Sequence, residues 1–248
     1  MIKLKNSNEL ALMREACKIS GEALLVGGDA VKAGVTTKSI DTKIRHFIEK
    51  CGARPTFLGY GGFPGSACIS VNDQVIHGIP SERELKDGDI VKIDVGAFYK
   101  GFTGDCAATF AVGSISPEAQ ALIDATKQSF FEAMKVALPG NRIGDIGHAV
   151  QSYVEEKGYS VVRQYVGHGV GRELHEDPEV PNFGTAGHGI RLMEGMTIAV
   201  EPMVNMGTYN VKVMPDKWTV LTADGKLSAH YEHSVAISSN GPVLLTKV

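Results

Sequence analysis

The sequence has no apolar run of membrane-spanning length and no excess of basic residues. Its 25 lysines and arginines stand against 28 aspartates and glutamates, which gives a formal net charge of −3 and a pI near 6.2. Extended contact with nucleic acid or with an anionic membrane needs a positive surface. The composition therefore predicts a globular protein that contacts neither a membrane nor nucleic acid directly.

The cysteines are too few and too scattered for a disulfide framework or a zinc ribbon. They are Cys17, Cys51, Cys68 and Cys106, and no two of them have the C-x-x-C spacing. Residues 1–6 include two lysines and lead into helical periodicity without the apolar core of a signal peptide. We therefore expect free thiols and a cytoplasmic protein.

The glycine-rich stretch at residues 59–65 is not a P-loop, because it lacks the Gly-Lys-Ser/Thr ending of that phosphate-binding motif. Its aromatic residues fit the wall of a pocket, and a plain connecting loop fits them equally well. The β-branched residues that follow predict a strand over Ala67–Asn72.

Two aspartates lie inside an otherwise apolar pair of predicted strands at residues 90–110. With the turn centred just after Tyr99, Asp94 faces Asp105 directly across the ladder. Like charges placed opposite each other destabilise a sheet, so a divalent cation held by carboxylate oxygens would explain the pair. From this stretch alone, an exposed turn with two unrelated acids is an equal alternative.

Helical periodicity opens each half of the chain. Capping residues and glycine or proline stops predict helices from about residue 6, over about 37–52, over about 117–139 and over about 145–158. An offset of 106 residues aligns the two halves at six positions, which pair Gly34 with Gly140, Ile40 with Ile146, Ile44 with Val150, Phe47 with Tyr153, Ile48 with Val154, and Gly52 with Gly158. Such internal repetition indicates a duplicated unit, here about residues 1–112 and 113–248 of a single domain.

The repeat also matches acids with acids. Asp94 and Glu201 each lie six residues after a matched glycine, and Asp105 and Glu232 each lead into an apolar strand. If an approximate two-fold axis relates the halves, these four carboxylates converge in one cleft, while their apolar neighbours alternate to the opposite face. About four positive charges are then needed, and two divalent ions roughly 3.5–4 Å apart are a known hydrolytic arrangement.

His168 is the candidate nitrogen ligand for that cleft. Gly167 and Gly169 on either side let the backbone approach its neighbours closely. Histidine beside carboxylates is an ordinary environment for a transition metal. The alternative is a packed structural histidine, and the spacing alone does not decide between the two.

Several longer strings carry a family resemblance that covers nearly the whole chain. They are Val75–Pro80, Ile93–Gly96, Thr103–Asp105, Tyr165–Arg172, Leu174–Pro178, Glu201–Met203 and Tyr231–Ser234. Together they resemble the methionine aminopeptidases of type I, in their short bacterial form. The resemblance implies the pita-bread fold, an α/β (α+β) architecture in which two halves, each of helices and antiparallel sheet, are related by a pseudo-two-fold axis. One catalytic domain, residues 1–248, would then contain both halves.

The resemblance also implies a metal centre with two divalent ions. The family's ligand positions fall on Asp94, Asp105, His168, Glu201 and Glu232. Asp105 and Glu232 are the two acids expected to bridge both ions. Carboxylate and imidazole ligands admit iron, manganese, cobalt or zinc.

The activity implied is removal of the N-terminal methionine from nascent proteins whose second residue is small. In that hydrolase mechanism a metal-bridging hydroxide attacks the first peptide carbonyl, and Glu201 shuttles the proton. His77 and His175 match two further catalytic histidines, which contact the scissile amide and the developing oxyanion. We expect a cytoplasmic monomer, and contact with the ribosome is left open.

The pocket for methionine is where this sequence departs from the common bacterial pattern. The substrate-binding positions implied by the resemblance are Phe57, Tyr60, Phe63, Cys68, His77, Leu174, His175 and Trp218. The family often has cysteine at position 57, tyrosine at 63 and phenylalanine at 174. The lining stays apolar, so it still suits a thioether, although its shape should differ. Core packing is the alternative role for Tyr60 and Trp218.

Two other functions share the fold. A peptidase that cleaves before proline would have the same ligands, and such enzymes usually have an additional N-terminal domain, which we do not expect in a chain of 248 residues. A binding module derived from this fold would have lost metal ligands, whereas all five positions here hold an acid or a histidine. A methionine-specific metalloaminopeptidase is therefore the predicted function.

Overall fold

The computed structural model describes residues 2–248 of the chain. They contain four α-helices and fifteen strands, joined by turns and loops. The helices are α1 (Ser7–Asp29), α2 (Thr37–Lys50), α3 (Pro117–Val136) and α4 (Ile143–Glu156). The strands are β1 (Arg54–Pro55), β2 (Ala67–Val71), β3 (Gln74–Ile76), β4 (Ile90–Tyr99), β5 (Phe102–Ala111), β6 (Ser160–Val161), β7 (Gly167–Gly169), β8 (Glu176–Val180), β9 (Thr197–Val200), β10 (Met203–Asn205), β11 (Val211–Val213), β12 (Val220–Thr222), β13 (Ser228–His230), β14 (Glu232–Ser238) and β15 (Gly241–Leu244). The glycine-rich loop contains a 3₁₀ turn, Tyr60–Gly62.

Nine of these strands form one antiparallel sheet, in the order β1-β4-β5-β14-β9-β7-β8, with β2 also paired to β4 and β15 to β14. Strands β5 and β14 join the two halves of the chain, where Ala107 pairs with Glu232 and Cys106 with His233. Helix α1 packs on β4 and β5, and α3 packs against α4. Among residues 2–248 no helix combines the length and apolarity needed to cross a bilayer, and all four cysteines there are free thiols.

Helix caps stand where the sequence predicted them. The Asn6 side chain accepts a hydrogen bond from the Glu9 N–H at 3.0 Å, and the Glu9 carboxylate accepts one from the Asn6 N–H at 3.0 Å, which completes a capping box. Ser116 caps α3 by accepting from the Ala119 N–H at 3.1 Å, and Pro117 is the first helical residue. Local chemistry therefore sets both helix starts.

Each half has its own apolar core, and the two cores match. Ile40, Ile44 and Ile48 of α2 are fully buried in the first, and Ile146 and Val150 of α4 in the second. The backbone ahead of each helix is held in the same way. The N–H of Gly34 donates to Leu85 at 2.8 Å, and the N–H of Gly140 donates to Leu192 at 2.9 Å. These equivalent contacts support the proposed duplication.

The turn between β4 and β5 lies one residue later than predicted. Tyr99 pairs with Phe102, so the two-residue loop is Lys100-Gly101. Both loop residues have positive φ, 48° and 84°, as a type I′ hairpin turn requires. Gly101 was the available signal, because glycine favours the second position of that turn.

The predicted direct pairing of Asp94 with Asp105 is therefore wrong. Asp94 pairs with Ala107, and Asp105 pairs with Gly96. The shift is two positions, and side chains two apart point to the same face of a strand. The aspartates thus remain diagonal neighbours on one face of the hairpin.

Candidate active site

Every residue predicted for the site lines one cavity of about 170 Å³. Pockets for drug-sized ligands are usually ~300–1,000 Å³, so this cavity suits a smaller ligand group. The predicted residues in its wall are Phe57, Tyr60, Phe63, Cys68, His77, Asp94, Asp105, His168, Leu174, His175, Glu201, Trp218 and Glu232. The wall also includes Ile76, Tyr165 and Val166, to which the sequence analysis gave no role.

One part of the wall, the acidic end, consists of Asp94, Asp105, His168, Glu201 and Glu232. Asp105 and Glu232 are only 3% and 2% exposed. Three buried carboxylate oxygens have no hydrogen-bond partner within residues 2–248: Oδ1 of Asp94, Oδ1 of Asp105 and Oε1 of Glu232. Burying a carboxylate costs free energy unless it is paired or binds a metal. The residues present therefore fit divalent cations.

The four acids bind protons more tightly than free carboxyl groups do. Burial raises the pKa of Asp94 to about 7 and that of Glu201 to about 8. Burial and the neighbouring carboxylates also raise the pKa of Asp105 and of Glu232 well above the ordinary value. Because a metal binds the ionised carboxylate, cation binding should release protons.

His168 is aimed into the acidic end by its backbone. Its Nδ1–H donates to the Gly169 carbonyl at 2.9 Å, which leaves Nε2 as the free acceptor. That Nε2 lies 3.8 Å from Oδ2 of Asp105 and 3.5 Å from Oε1 of Glu201. Burial, and next the neighbouring His175, lower the pKa of His168 to about 4. A neutral imidazole in this orientation is the form that binds a metal.

The glycines beside His168 allow β7 to lie this close to its neighbours. A Cβ at Gly167 would lie 2.3 Å from the Ala199 carbonyl oxygen, and a Cβ at Gly169 would lie 2.2 Å from that of Asp177. Both distances are far below van der Waals contact, so only glycine fits. The close backbone approach predicted from the sequence is therefore present on both sides of His168.

His77 and His175 lie beside the acidic end. His77 has a left-handed φ of 57°, a strained conformation of the kind that clusters at functional sites. Burial and nearby histidines lower the pKa of His77 to about 4, and burial lowers the pKa of His175. The Tyr60 hydroxyl lies 2.7 Å from Nδ1 of His175. Both imidazoles are thus neutral near pH 7, and Tyr60 holds the ring of His175.

The other part of the wall, the apolar end, is a buried cluster of Phe57, Phe63, Cys68 and Leu174. Trp218 packs against it, with its ring centroid 5.1 Å from that of Phe63 in an edge-on arrangement. Tyr60 differs from this group, because it is 45% exposed and stands at the mouth of the cavity. The apolar end therefore gives the cavity an apolar wall.

His230 is a candidate site residue that the sequence analysis missed. It is 1% exposed, and ligand atoms of Glu201, His230 and Glu232 all lie within 4.8 Å of one another. A signal was available, because His230 stands two residues before Glu232 and residues two apart in an extended chain share a face.

Residues 11–239 match the model of metallopeptidase family M24. The chain belongs to metallopeptidase family M24. Use of a divalent metal follows from that membership, and the acidic end supplies suitable ligands.

Relatives with known names show which M24 proteins this metallopeptidase resembles. The chain is 58% identical over 248 residues to the methionine aminopeptidase of Clostridium perfringens, with 100% of both chains covered. The crystal structure of the methionine aminopeptidase from Thermotoga maritima superposes with a TM-score of 0.98 at 43% identity, again covering 100% of both chains. Within family M24, the chain therefore groups with the methionine aminopeptidases, as the sequence motifs predicted.

A more distant M24 structure shares the fold alone. The prolidase from Pyrococcus furiosus has a TM-score of 0.80 at 24% identity, and the match covers 99% of this chain but 65% of that one. Together with the methionine aminopeptidase structure, it confirms the predicted pita-bread fold.

Proposed function

We propose that this M24 metallopeptidase removes the N-terminal methionine from polypeptide chains by metal-dependent hydrolysis. One observation carries the proposal: a single cavity is lined both by acids with buried carboxylate oxygens that have no hydrogen-bond partner among residues 2–248 and by a cluster of apolar side chains. The first arrangement suits hydrolysis of a peptide bond, and the second suits recognition of an unbranched apolar residue. The high identity to methionine aminopeptidases supports the same activity.

The ligands proposed for the metal are Asp94, Asp105, His168, Glu201 and Glu232. These side chains would hold two divalent ions, whose charge the four carboxylates would balance. When bound, such ions polarise a carbonyl oxygen and bring the pKa of a coordinated water towards neutrality. Iron, manganese, cobalt and zinc all suit this mixture of oxygen and nitrogen ligands.

Two groups of the chain are proposed to move or hold protons during the reaction. Glu201, whose side chain is 12% exposed, can take up a proton from the attacking water and pass it to the leaving amine. If the Tyr60 hydroxyl donates to Nδ1 of His175, the imidazole proton stays on Nε2. His175 could then donate to the carbonyl oxygen as it becomes negative.

Substrate selection is proposed to depend on the apolar end. Phe57, Phe63 and Trp218 present aromatic surfaces, with which a thioether sulfur makes favourable contacts. His77 is proposed to contact the scissile amide, which would orient it towards Glu201. A small second residue, a nascent chain as substrate, a cytoplasmic location and a monomeric state stay predictions, and contact with the ribosome stays open.

A peptide assay tests the proposal. After treatment with a chelator, the protein should not cleave Met-Ala-Ser, and added manganese should restore cleavage. Leu-Ala-Ser and Gly-Pro-Ala serve as matched substrates for general aminopeptidase and proline-directed activity. Cleavage that survives complete metal removal, or a preference for Gly-Pro-Ala, would contradict the proposal.

A further inference from the structure

His230 is a buried imidazole that the proposed mechanism leaves without a role. It ends β13 and is 1% exposed. Neither ring nitrogen has a hydrogen-bond partner within residues 2–248. An unpaired polar group in a core is costly, so its position beside the acidic end calls for a partner there.

One acid within ion-pair distance of His230 is Glu201. Nε2 of His230 lies 3.7 Å from Oε2 of Glu201, while Nε2 of His168 lies 3.5 Å from Oε1 of the same carboxylate. Each oxygen of Glu201 therefore faces a different imidazole. The 3.7 Å gap is roughly 0.5 Å longer than a hydrogen bond, and a small rotation of the carboxylate would close it.

The two imidazoles differ at their second nitrogen. Nδ1 of His168 donates to the Gly169 carbonyl at 2.9 Å, and a metal-binding histidine almost always has such an outer partner to fix its tautomer. In the described part of the chain, Nδ1 of His230 has none. Nothing therefore prepares Nε2 of His230 to be a bare acceptor for a metal, and it is free to carry the proton.

We propose that His230 is a positioning residue, whose Nε2–H donates to Oε2 of Glu201 and thereby holds Oε1 towards His168 and the metal. This inference rests on the proposed metal centre. Carboxylate ligands are themselves commonly hydrogen-bonded by outer groups, and loss of such a group typically costs about 10–100-fold in metal affinity or activity.

The test compares His230→Gln with His230→Leu in manganese titrations followed by calorimetry. A glutamine amide can supply the N–H that the ring supplies, whereas leucine cannot. We expect His230→Leu to lose about 10–100-fold in manganese affinity and His230→Gln to bind nearly as tightly as the parent. His233→Leu is the control variant, because the His233 ring is half-buried nearby but contacts Thr246 and Tyr231. Its manganese affinity should match that of the parent.

Pulsed EPR of the manganese-loaded proteins adds a readout that packing does not affect. Nitrogen couplings should indicate one coordinated imidazole, that of His168, in the parent and in both His230 variants. Two imidazoles in the parent and one in His230→Gln would make His230 a direct ligand and overturn the proposal. Affinity in His230→Gln reduced as much as in His230→Leu would also overturn it.

Melting curves of the metal-free variants show whether each one folds. If His230→Leu does not fold, His230→Gln still decides through its affinity and its nitrogen couplings. A folded His230→Leu that binds manganese like the parent refutes the positioning role alone. A parent protein that takes up no manganese refutes the metal centre and this inference together.

Discussion

The two ends of the cavity are buried to a similar degree, but burial has opposite effects on their stability. At the apolar end, Phe57, Phe63 and Leu174 are 7%, 3% and 6% exposed and pack as an ordinary core cluster. At the acidic end, Asp105 and Glu232 are 3% and 2% exposed, yet each has a carboxylate oxygen without a hydrogen-bond partner in residues 2–248. Burial therefore stabilises the first region and destabilises the second until a cation arrives.

Because of this difference, substitutions at the two ends should affect activity and stability in different ways. Removing apolar volume should lower both the stability and the specificity of the protein, because the same contacts serve both. Removing one of the crowded acids should abolish activity while leaving the metal-free fold as stable as before or more stable.

The largest effect is expected for Glu232→Gln, and Asp105→Asn should behave alike. Loss of a proposed metal ligand should abolish peptide cleavage and lower the manganese stoichiometry. The metal-free melting temperature should be unchanged or higher, because like-charge repulsion is relieved, and the gain in stability on adding metal should shrink. Activity, calorimetric titration and melting with and without manganese measure all three.

Glu176→Gln is the matched control for that variant. Glu176 is a buried carboxylate outside the acidic end, and it pairs with Lys5 at 2.6 Å. Its replacement should lower stability, because it leaves the Lys5 charge poorly compensated. If Glu232→Gln is destabilised as strongly as Glu176→Gln, the contrast between the two kinds of buried acid is wrong.

The next largest effect is expected for His175→Ala. Loss of one donor to the developing oxyanion should cost about 10²–10³ in kcat, with KM and manganese affinity little changed. His168→Ala should instead lose manganese affinity, because it removes a proposed ligand. Steady-state kinetics, metal stoichiometry and melting temperature distinguish the two variants. Loss of metal by His175→Ala, or full kcat in a metal-loaded sample, would remove the assigned role.

Phe57→Cys tests the apolar end. The lost volume should cost stability, about 2–4 kcal/mol by comparison with other large-to-small core changes. It should also shift discrimination between a small and a bulky apolar inhibitor by roughly 1–3 kcal/mol, with methionine cleavage largely retained. Phe130 lies on α3 and is fully buried in the apolar core of the second half. Phe130→Cys should therefore lower stability without changing the ratio of inhibition constants. An unchanged ratio in Phe57→Cys would place Phe57 in the core only.

The smallest effect is a pH dependence of the metal-free fold. The folded-state pKa of Glu201 is raised to about 8 by burial, so the folded state binds a proton that the unfolded state has released. Stability is therefore lost as pH rises from about 4.5 to about 8. The folded-state pKa values of the buried histidines are lowered, so these groups make stability rise with pH. That effect is confined to pH values below about 6.5. The window from pH 6.5 to 8 thus isolates the acids from the histidines.

Melting of the parent and of Glu201→Gln at pH 6.5 and 8 measures this effect. As pH rises, the free energy of unfolding of Glu201→Gln should increase relative to that of the parent by at most roughly 1.4 kcal/mol per pH unit. For a chain of this size, each kcal/mol corresponds to about 2–4 °C in melting temperature. Lys92, whose pKa is lowered by burial, contributes equally to both proteins and cancels. A difference that does not change between these pH values would contradict the raised pKa of Glu201.

Much of the architecture could be predicted because its causes are local. The capping box at Asn6 and the Ser116-Pro117 start of α3 depend on residues within one helical turn. Alternation in a strand also kept Asp94 and Asp105 on one face of their hairpin, even though the predicted turn was one residue too early. An error in register of two positions changes partners but not faces.

The sequence was less informative where contacts come from distant segments. The 2.7 Å contact between Tyr60 and His175 joins residues 115 apart in the chain. His230 lies beside Glu201 because β13 pairs with β10, the strand that follows Glu201 after one residue. No local periodicity predicts either contact.

The chain alone therefore determined which side chains share a strand face, where helices begin and which acids recur in both halves, since backbone geometry and capping act over a few residues. Only the tertiary structure decided which imidazole faces which carboxylate oxygen and which rings close the apolar end. Those neighbours depend on how separate segments of the sheet and loops pack together, and free energies of packing are summed over contacts that no single stretch of sequence contains.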